Sequence, residues 1–141
     1  MKKIIIAFIL AVLPGLGFTA GGKLHLDSAN IDLTDNASLQ RGAQLFVNYC
    51  LNCHSASFMR YNRMGADLGI SDELVKENLL FTADKVGEPM DVAMTTEDGK
   101  KWFGTNPPDL SLIARAKGSG TKGADWLYTY FRSFYVDETR P

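Results

Sequence analysis

The sequence predicts an all-α domain, and two observations support this prediction. Apolar residues in several segments recur with the period of a helix, and residues that cap helices precede these segments. No run alternates between apolar and polar side chains as a half-buried strand requires. The chain has 141 residues, 45% of them hydrophobic and 22% charged, which is typical of one soluble globular domain.

Residues 1–22 are interpreted as a secretory signal peptide. Lys2 and Lys3 form a short positive region, residues 4–13 are apolar, and small residues follow at 19–22. An uncleaved membrane anchor is the alternative, but the apolar run is short for a span. Without Lys2 and Lys3 the chain has 13 basic and 16 acidic residues. This mildly acidic balance argues against a nucleic-acid partner. It either permits a basic protein partner or serves only the solubility of the surface.

The first helix is predicted to begin at Asp35 or Asn36, after an irregular segment over residues 23–36. Gly42 within this helix is expected to let another backbone approach closely. The apolar positions follow the helical period: Leu39, Ala43, Phe46 and Cys50. The folded domain is therefore predicted to cover residues 37–141.

Two shorter helices are predicted in the middle of the chain, after a loop over residues 56–69. Ser71 is expected to cap the first. Its inner face consists of Leu74, Val75, Leu79 and Leu80. Thr95, with Asp98 three residues later, is expected to cap one turn that ends at residues 102–104.

Two further helices are predicted towards the C-terminus. Pro107-Pro108-Asp109 opens one that ends at Gly118, with a buried stripe of Leu110, Ile113 and Ala114. A flexible link over residues 118–123 follows. The last helix runs from Ala124 to Tyr135, and its apolar face consists of Trp126, Leu127, Tyr130, Phe131 and Phe134.

Residues 50–54, Cys-Leu-Asn-Cys-His, have the pattern of a c-type haem attachment site. Cys50 and Cys53 are the only cysteines of the chain. Their thiols are expected to form thioethers with the porphyrin vinyl groups, and His54 is expected to bind the iron. A zinc site would need about four ligands, and a dithiol redox site usually comes with a βαβ pattern. Beyond the motif the chain offers only His25 and carboxylates to a zinc ion, and no βαβ pattern is visible. Export fits the haem, because bacteria attach it outside the cytoplasm.

The sequence offers several candidate residues for each of the other haem contacts. The second ring nitrogen of His54 is expected to donate to a backbone carbonyl, and Pro107 and Pro108 are candidates for it. The two prolines are equally typical of a helix start. Met59 and Met64 follow His54 closely, whereas Met90 and Met94 could reach the other face of the iron or simply fill the core. Propionate contacts or solvated surface charges are the two interpretations of Arg60, Arg63, Arg115 and Lys117.

Several short motifs flank the haem motif in a particular order. They are Ser38-Leu39-Gln40-Arg41-Gly42, Met59-Arg60-Tyr61-Asn62-Arg63-Met64, Trp102-Phe103-Gly104, Pro107-Pro108-Asp109-Leu110-Ser111 and Asp125-Trp126-Leu127-Tyr128-Thr129-Tyr130. In this order they resemble the cytochrome c1 family, the haem subunit of quinol–cytochrome c reductase (the cytochrome bc1 complex). The resemblance covers about residues 26–141 and is closest to the proteobacterial type.

The resemblance implies a class I-like cytochrome c domain with one covalent haem c. Cys50, Cys53 and His54 match the family's haem cysteines and proximal histidine. The haem would accept an electron from the Rieske iron–sulfur protein, beside cytochrome b, and pass it to a soluble c-type cytochrome. The chain would be an electron-carrier subunit with no catalytic chemistry of its own, on the periplasmic side of the bacterial inner membrane.

The chain also departs from the family. There the methionine ligand lies after the segment matching residues 137–141, and a transmembrane helix follows it. We therefore expect an N-terminal fragment whose sixth ligand lies beyond residue 141. At the position of Lys117, just before Gly118, the family tends to have an arginine that contacts a haem propionate. Lysine pairs with a carboxylate as a point charge, without the planar fork of arginine.

Two alternatives belong to other functional classes. A soluble periplasmic haem-based sensor or ligand-binding protein would have an open iron position. An exported structural protein would bind no haem. The optical spectrum separates a low-spin carrier from a high-spin sensor, and the intact mass identifies a chain without haem.

Overall fold

The structure is a computed structural model that describes residues 24–139. The predicted signal peptide lies outside them, and the domain boundaries at residues 22 and 36 stay a prediction. The all-α class is confirmed, with little strand among the described residues. No helix of this part has the length and apolar character to cross a bilayer. The elements are α1 (Asn36–Leu45), a π-helix (Phe46–Cys50), β1 (Ala56–Arg60), α2 (Tyr61–Asp67), α3 (Asp72–Asn78), β2 (Pro89–Met90), α4 (Thr96–Phe103), α5 (Ile113–Ala116) and α6 (Lys122–Arg132).

Helix α1 begins where the sequence predicts it. Asp35 is the N-cap, and its carboxylate accepts a hydrogen bond from the Ser38 N–H at 2.9 Å. The helix then widens into the π-helix, whose last turn is closed by the Leu51 N–H donating to the Phe46 carbonyl at 2.9 Å. Turns of this width are rare in proteins, and those that occur are often at functional sites. This one ends at Cys50, the first residue of the haem motif.

The prediction of a loop over residues 56–69 is wrong, because β1 and α2 occupy most of it. β1 pairs antiparallel with β2, with Ala56 opposite Met90 and Arg60 opposite Pro89. The ladder is irregular between these pairs, and exposed and buried residues do not alternate along β1. A strand of this kind carries no alternating pattern, so its sequence does not distinguish it from a loop.

The core lies between the π-helix, β1, α2, α3 and β2. It is one cluster of buried residues: Val47, Leu51, Ala56, Tyr61, Met64, Val75, Leu79 and Met90. The Tyr61 hydroxyl is 2.9 Å from Thr82 Oγ1, so this buried polar group has a partner. Helices α2 and α3 approach closely at Gly65, where a Cβ would lie 2.7 Å from Val75 Cγ2.

Close approach at Gly42, by contrast, is a prediction that the structure contradicts. Gly42 is exposed, and no atom of another segment would lie within 4 Å of a Cβ there. The face of α1 that packs on the core carries Ala43 instead.

The predicted caps of the two middle helices are confirmed. Ser71 Oγ accepts from the Leu74 N–H at 3.4 Å, and Thr95 Oγ1 accepts from the Asp98 N–H at 3.1 Å. The helix after Thr95 is longer than the single predicted turn. Leu74 was expected on the inner face of α3 but is 51% exposed, because it stands one position away from the buried Val75.

The helix after Pro107-Pro108-Asp109 begins later than predicted, at Ile113. The Asp109 side chain accepts from the Ser111 N–H at 2.8 Å, which forms a local turn in place of a helix start. The predicted buried stripe is therefore wrong: Leu110 and Ile113 are half-buried and Ala114 is exposed.

The predicted flexible link and the start of the last helix also need correction. Helix α6 begins at Lys122 and ends at Arg132, so Gly123 is helical and buried. Most of the aromatic face of α6 is present as predicted, with Trp126 stacked on Tyr130 at 5.1 Å between ring centroids. Phe131 and Phe134 are more than half exposed among the described residues.

Residues 24–35, the N-terminal segment, pack on α6 at the other end of the described chain. The Asp27 N–H donates to Thr129 Oγ1, and the Ala29 N–H donates to Asp125 Oδ1, both at 2.9 Å. These bonds join positions about a hundred residues apart, and no local pattern in the sequence indicates them.

Candidate haem site

The haem motif forms a tight turn directly after the π-helix. The N–H groups of Cys53 and His54 both donate to the Cys50 carbonyl, at 3.0 and 2.8 Å. The turn brings two half-buried thiols and one imidazole together, and neither cysteine is in a disulfide. Burial raises the pKa of the Cys50 thiol above its ordinary value, because the charged thiolate is less well solvated there.

The imidazole of His54 is oriented by a backbone carbonyl. His54 Nδ1 lies 2.8 Å from the carbonyl oxygen of Pro108. A carbonyl can only accept, so Nδ1 carries the proton and Nε2 keeps its lone pair for a metal. Of the two carbonyls that the sequence leaves open, the structure therefore uses that of Pro108.

The Pro108 carbonyl belongs to a segment, residues 108–111, that is bonded to the residues after the haem motif. The Leu110 N–H donates to the Ser55 carbonyl at 2.8 Å, and the Phe58 N–H donates to Ser111 Oγ at 3.1 Å. The Ser57 N–H donates to Asp109 Oδ2 at 2.9 Å. These contacts fix the position and direction of the Pro108 carbonyl, which faces His54.

Asp109 is ionised in this arrangement. Its partial burial alone would raise its pKa, but hydrogen bonds from Ser111 and Ser57 outweigh that effect and lower the pKa to about 2. Each carboxylate oxygen accepts from a different backbone N–H. Bonds of this kind, with an ionised acceptor, are stronger than neutral ones.

Ser55 connects the haem motif to a third segment. Its hydroxyl oxygen accepts a hydrogen bond from the Val92 N–H at 2.9 Å. Met90, which precedes this contact, is 1% exposed and belongs to the core cluster, as does Met64. Both positions fit the interpretation of methionine as core filler, while Met94 is half-buried.

Three of the four basic residues considered for propionate contacts lie near other groups. The Arg60 guanidinium donates to the Gly87 carbonyl. Arg63 Nε pairs with Asp67, one helical turn later, at 2.8 Å. Lys117 Nζ lies 4.4 Å from the centre of the Trp126 ring. A propionate contact of Lys117 stays a prediction.

Three positioning groups were missed at the sequence level: the Ser55 hydroxyl, the Ser111 hydroxyl and the Asp109 carboxylate. The available signal was the run Asp109-Leu110-Ser111, since aspartate and serine often bond to backbone groups two residues on. The long-range partners, Ser57 and Phe58, have no signal of their own. Within residues 24–139, no three His, Cys, Asp or Glu side chains converge as a metal cluster.

Comparison with known proteins adds an independent observation. The model of the family described as "Cytochrome C1 family" matches residues 28–141. The chain belongs to the cytochrome c1 family. Similar relatives include cytochrome c1 of Allochromatium vinosum, 51% identical over 141 residues, which are 100% of this chain and 56% of that protein. The ammonia monooxygenase gamma subunit of Nitrosomonas europaea is 47% identical over 137 residues, 97% of this chain and 55% of that protein.

A more distant relative is cytochrome c1 of Rhodospirillum rubrum, 30% identical over 124 residues, 73% of this chain and 43% of that protein. The chain spans about half the length of the Allochromatium vinosum and Nitrosomonas europaea relatives. The family resemblance seen in the sequence is thus confirmed. Cytochrome c1 proteins carry one covalently bound haem c.

The site residues fit such a group. Two unpaired thiols stand three positions apart, and the adjacent imidazole has one nitrogen held by Pro108 and the other left for iron. This donor set is the one that covalent haem attachment needs.

Proposed function

We propose that the chain is a one-electron carrier that holds a single haem c. Cys50 and Cys53 bond covalently to the porphyrin, and His54 Nε2 binds the iron. The observation that carries the proposal is the 2.8 Å contact of His54 Nδ1 with the Pro108 carbonyl, which assigns the two ring nitrogens to different tasks.

Haem c supplies a one-electron iron couple when it is bound, and the residues of the chain do the rest. The two thioethers keep the group attached through every redox cycle. The Pro108 carbonyl holds the imidazole in one tautomer and raises its basicity as a ligand. Lys117 is proposed as a partner of a propionate, although its ammonium lies over Trp126 in the structure.

The membership of the cytochrome c1 family supports a place in quinol–cytochrome c reductase. There the chain would receive electrons from the Rieske iron–sulfur protein beside cytochrome b and pass them to a soluble c-type cytochrome. It would face the periplasm, after export by the signal peptide and with membrane attachment through the complex. We assign the sixth ligand to neither Met64 nor Met90, since both side chains pack in the core cluster.

A second setting is favoured by one observation. The relative of Nitrosomonas europaea, 47% identical, is named as a subunit of ammonia monooxygenase. A carrier that serves such an oxidising enzyme would need the same haem site and a different donor or acceptor. No observation supports the sensor alternative.

The test of the haem is expression of the full chain in a bacterial host that attaches c-type haem. The expected result is a denatured intact mass that includes one haem, with no free thiol by titration, since only Cys50 and Cys53 are available. The variant with both Cys50→Ser and Cys53→Ser is the matched control and should lose the haem on denaturation. A wild-type chain of unmodified mass would contradict the proposal and favour a structural protein without haem.

The test of the setting is electron exchange measured by stopped-flow spectroscopy. The reduced chain is expected to reduce a soluble c-type cytochrome of the same organism in a second-order, salt-dependent reaction. An absence of exchange with the soluble cytochrome would contradict a carrier role.

A further inference from the structure

We infer that Asp109 is a positioning residue of the haem site, which holds the Pro108 carbonyl against His54 and thereby sets the electron affinity of the iron. The inference rests on the proposed function, because it concerns a haem bound to His54. The pattern Pro-Pro-Asp does not itself assign this role, since it is equally typical of a helix start.

Residues 54–57 and residues 108–109 form a closed ring of covalent and hydrogen bonds. The chain runs from His54 to Ser57, and the Ser57 N–H donates to Asp109 Oδ2 at 2.9 Å. Asp109 follows Pro108, whose carbonyl oxygen lies 2.8 Å from His54 Nδ1. The Pro108 carbonyl is part of the peptide group that joins it to Asp109. A movement of Asp109 therefore turns the carbonyl that orients the imidazole.

The side chain of Asp109 is fixed in rotation because both of its oxygens are used. Oδ2 accepts from the Ser57 N–H and Oδ1 accepts from the Ser111 N–H, at 2.9 and 2.8 Å. Asp109 is exposed and does not belong to the core cluster. Its replacement therefore tests hydrogen bonds and leaves the packing of the core unchanged.

The electronic consequence has a definite direction. A strong bond from Nδ1–H to the carbonyl makes the imidazole a better electron donor. A better donor stabilises the oxidised iron relative to the reduced iron. Loosening the Pro108 carbonyl should therefore favour the reduced state and raise the midpoint potential.

The experiment is a redox titration of the full chain with its haem attached, as wild type, Asp109→Ala and Asp109→Asn. In Asp109→Ala the reduction equilibrium is expected to shift towards the reduced form by about two- to tenfold, the range that one net hydrogen bond spans. Asp109→Asn keeps one acceptor and presents its amide NH2 to the other N–H, so a smaller shift in the same direction is expected.

Two control variants separate positioning from charge and from stability. Asp91→Asn removes an exposed carboxylate next to Val92, which is bonded to Ser55, and it measures the through-space effect of one charge. Asp35→Ala removes a hydrogen bond between a carboxylate and a backbone N–H that has the same length as the bond from Ser57 to Asp109. This bond lies at the start of α1, which is the end remote from the haem motif. Both are expected to change the midpoint potential less than Asp109→Ala does.

A second measurement reports directly on the hydrogen bond. The exchange of the His54 Nδ1 proton with solvent is followed by NMR in the diamagnetic ferrous state, with carbon monoxide added if the iron binds it. Exchange is expected to be at least severalfold faster in both Asp109 variants and unchanged in Asp91→Asn and Asp35→Ala.

The outcomes separate the two levels of the argument. A wild-type chain without covalent haem would overturn the proposed function and the inference with it. A wild type that carries haem, with unchanged potential and proton exchange in both Asp109 variants, would overturn the inference alone. So would a shift no larger than that of Asp91→Asn. If Asp109→Ala does not fold, Asp109→Asn decides by the same two measurements.

Discussion

The Asp109 carboxylate accepts a hydrogen bond from the backbone N–H of Ser57, 52 residues earlier in the chain, at 2.9 Å. This bond and its neighbours attach the Pro-Pro-Asp-Leu-Ser segment to the residues that follow the haem motif. The attachment depends on ionisation, because a protonated carboxyl group accepts less strongly and has a donor of its own.

Acid should weaken this attachment. Since the pKa of Asp109 is lowered from 3.8 to about 2 on folding, its contribution to stability is present above pH 3.8 and is lost as the pH falls towards 2. The exposed position screens the interaction, so we expect a contribution of about 1 kcal/mol. Urea unfolding of wild type and Asp109→Asn at pH 6 and pH 2 measures it: the difference between the two proteins should shrink in acid. A constant difference would contradict the shifted pKa.

The family resemblance assigns Lys117 to a haem propionate, and the structure adds a contact between Lys117 and the ring of Trp126 that can be measured separately. Lys117 Nζ lies 4.4 Å from the ring centre. The coupling in a double-mutant cycle of Lys117→Gln and Trp126→Phe is expected to be about 0.5 kcal/mol. The matched measurement is the midpoint potential as a function of pH. A potential that changes with Lys117→Gln and not with Trp126→Phe would support the propionate contact, and a coupling of zero in the cycle would contradict the ring contact.

The haem site could be predicted from sequence to the extent that its residues are local. Cys50, Cys53 and His54 share one turn, and the carbonyls that could orient His54 were limited to two prolines. Asp35, Ser71 and Thr95 cap helices by bonds within three residues, so their roles are visible in the sequence.

The features of the fold that the sequence does not predict depend on long-range contacts or on the exact phase of a helix. The strand Ala56–Arg60 exists because it pairs with Pro89 and Met90, which lie far along the chain. The π-helix before Cys50 widens one turn, which a prediction from the 3.6-residue period does not include. Leu74 looks like a core residue until the structure assigns the buried stripe to Val75. Asp109 forms a turn because Ser57 and Ser111 offer it donors, and only one of these is its neighbour.

The N-terminal segment should be released by changes on α6. Asp125 Oδ1 accepts from the Ala29 N–H, and Thr129 Oγ1 accepts from the Asp27 N–H. Removing both acceptors in Asp125→Ala with Thr129→Ala should cost about 1 kcal/mol for each bond. Cleavage by thermolysin within residues 24–35 is then expected to be about tenfold faster or more, with the sites identified by mass.

The control for that experiment is Asp98→Ala, which weakens the N-terminus of α4, where the Asp98 carboxylate accepts a hydrogen bond from the Thr95 hydroxyl. Cleavage within residues 24–35 at the wild-type rate in this variant would show that the effect is local. Equal acceleration in both variants would indicate global unfolding and contradict the predicted release.

Gly123 makes the backbone contact between α5 and α6, and replacing it tests whether the two helices pack as the structure has them. A Cβ at Gly123 would lie 1.5 Å from the Ala114 carbonyl oxygen. A backbone atom cannot move away by a change of rotamer, so the helices must separate. Gly123→Ala is expected to lower the free energy of unfolding by about 3 kcal/mol, at the upper end of the range for overpacking. Denaturant unfolding monitored by circular dichroism measures this change.

Gly42→Ala is the matched control, because the same chemical change should have the opposite sign there. Gly42 lies inside α1, and nothing stands within 4 Å of the position of its Cβ. Alanine restricts the unfolded chain and favours helix, so a stabilisation of about 0.5–1 kcal/mol is expected. Opposite signs at the two glycines would show that the Ala114 contact, and not helix propensity, decides the cost at Gly123. A stabilised Gly123→Ala variant would mean that α5 and α6 are not in backbone contact.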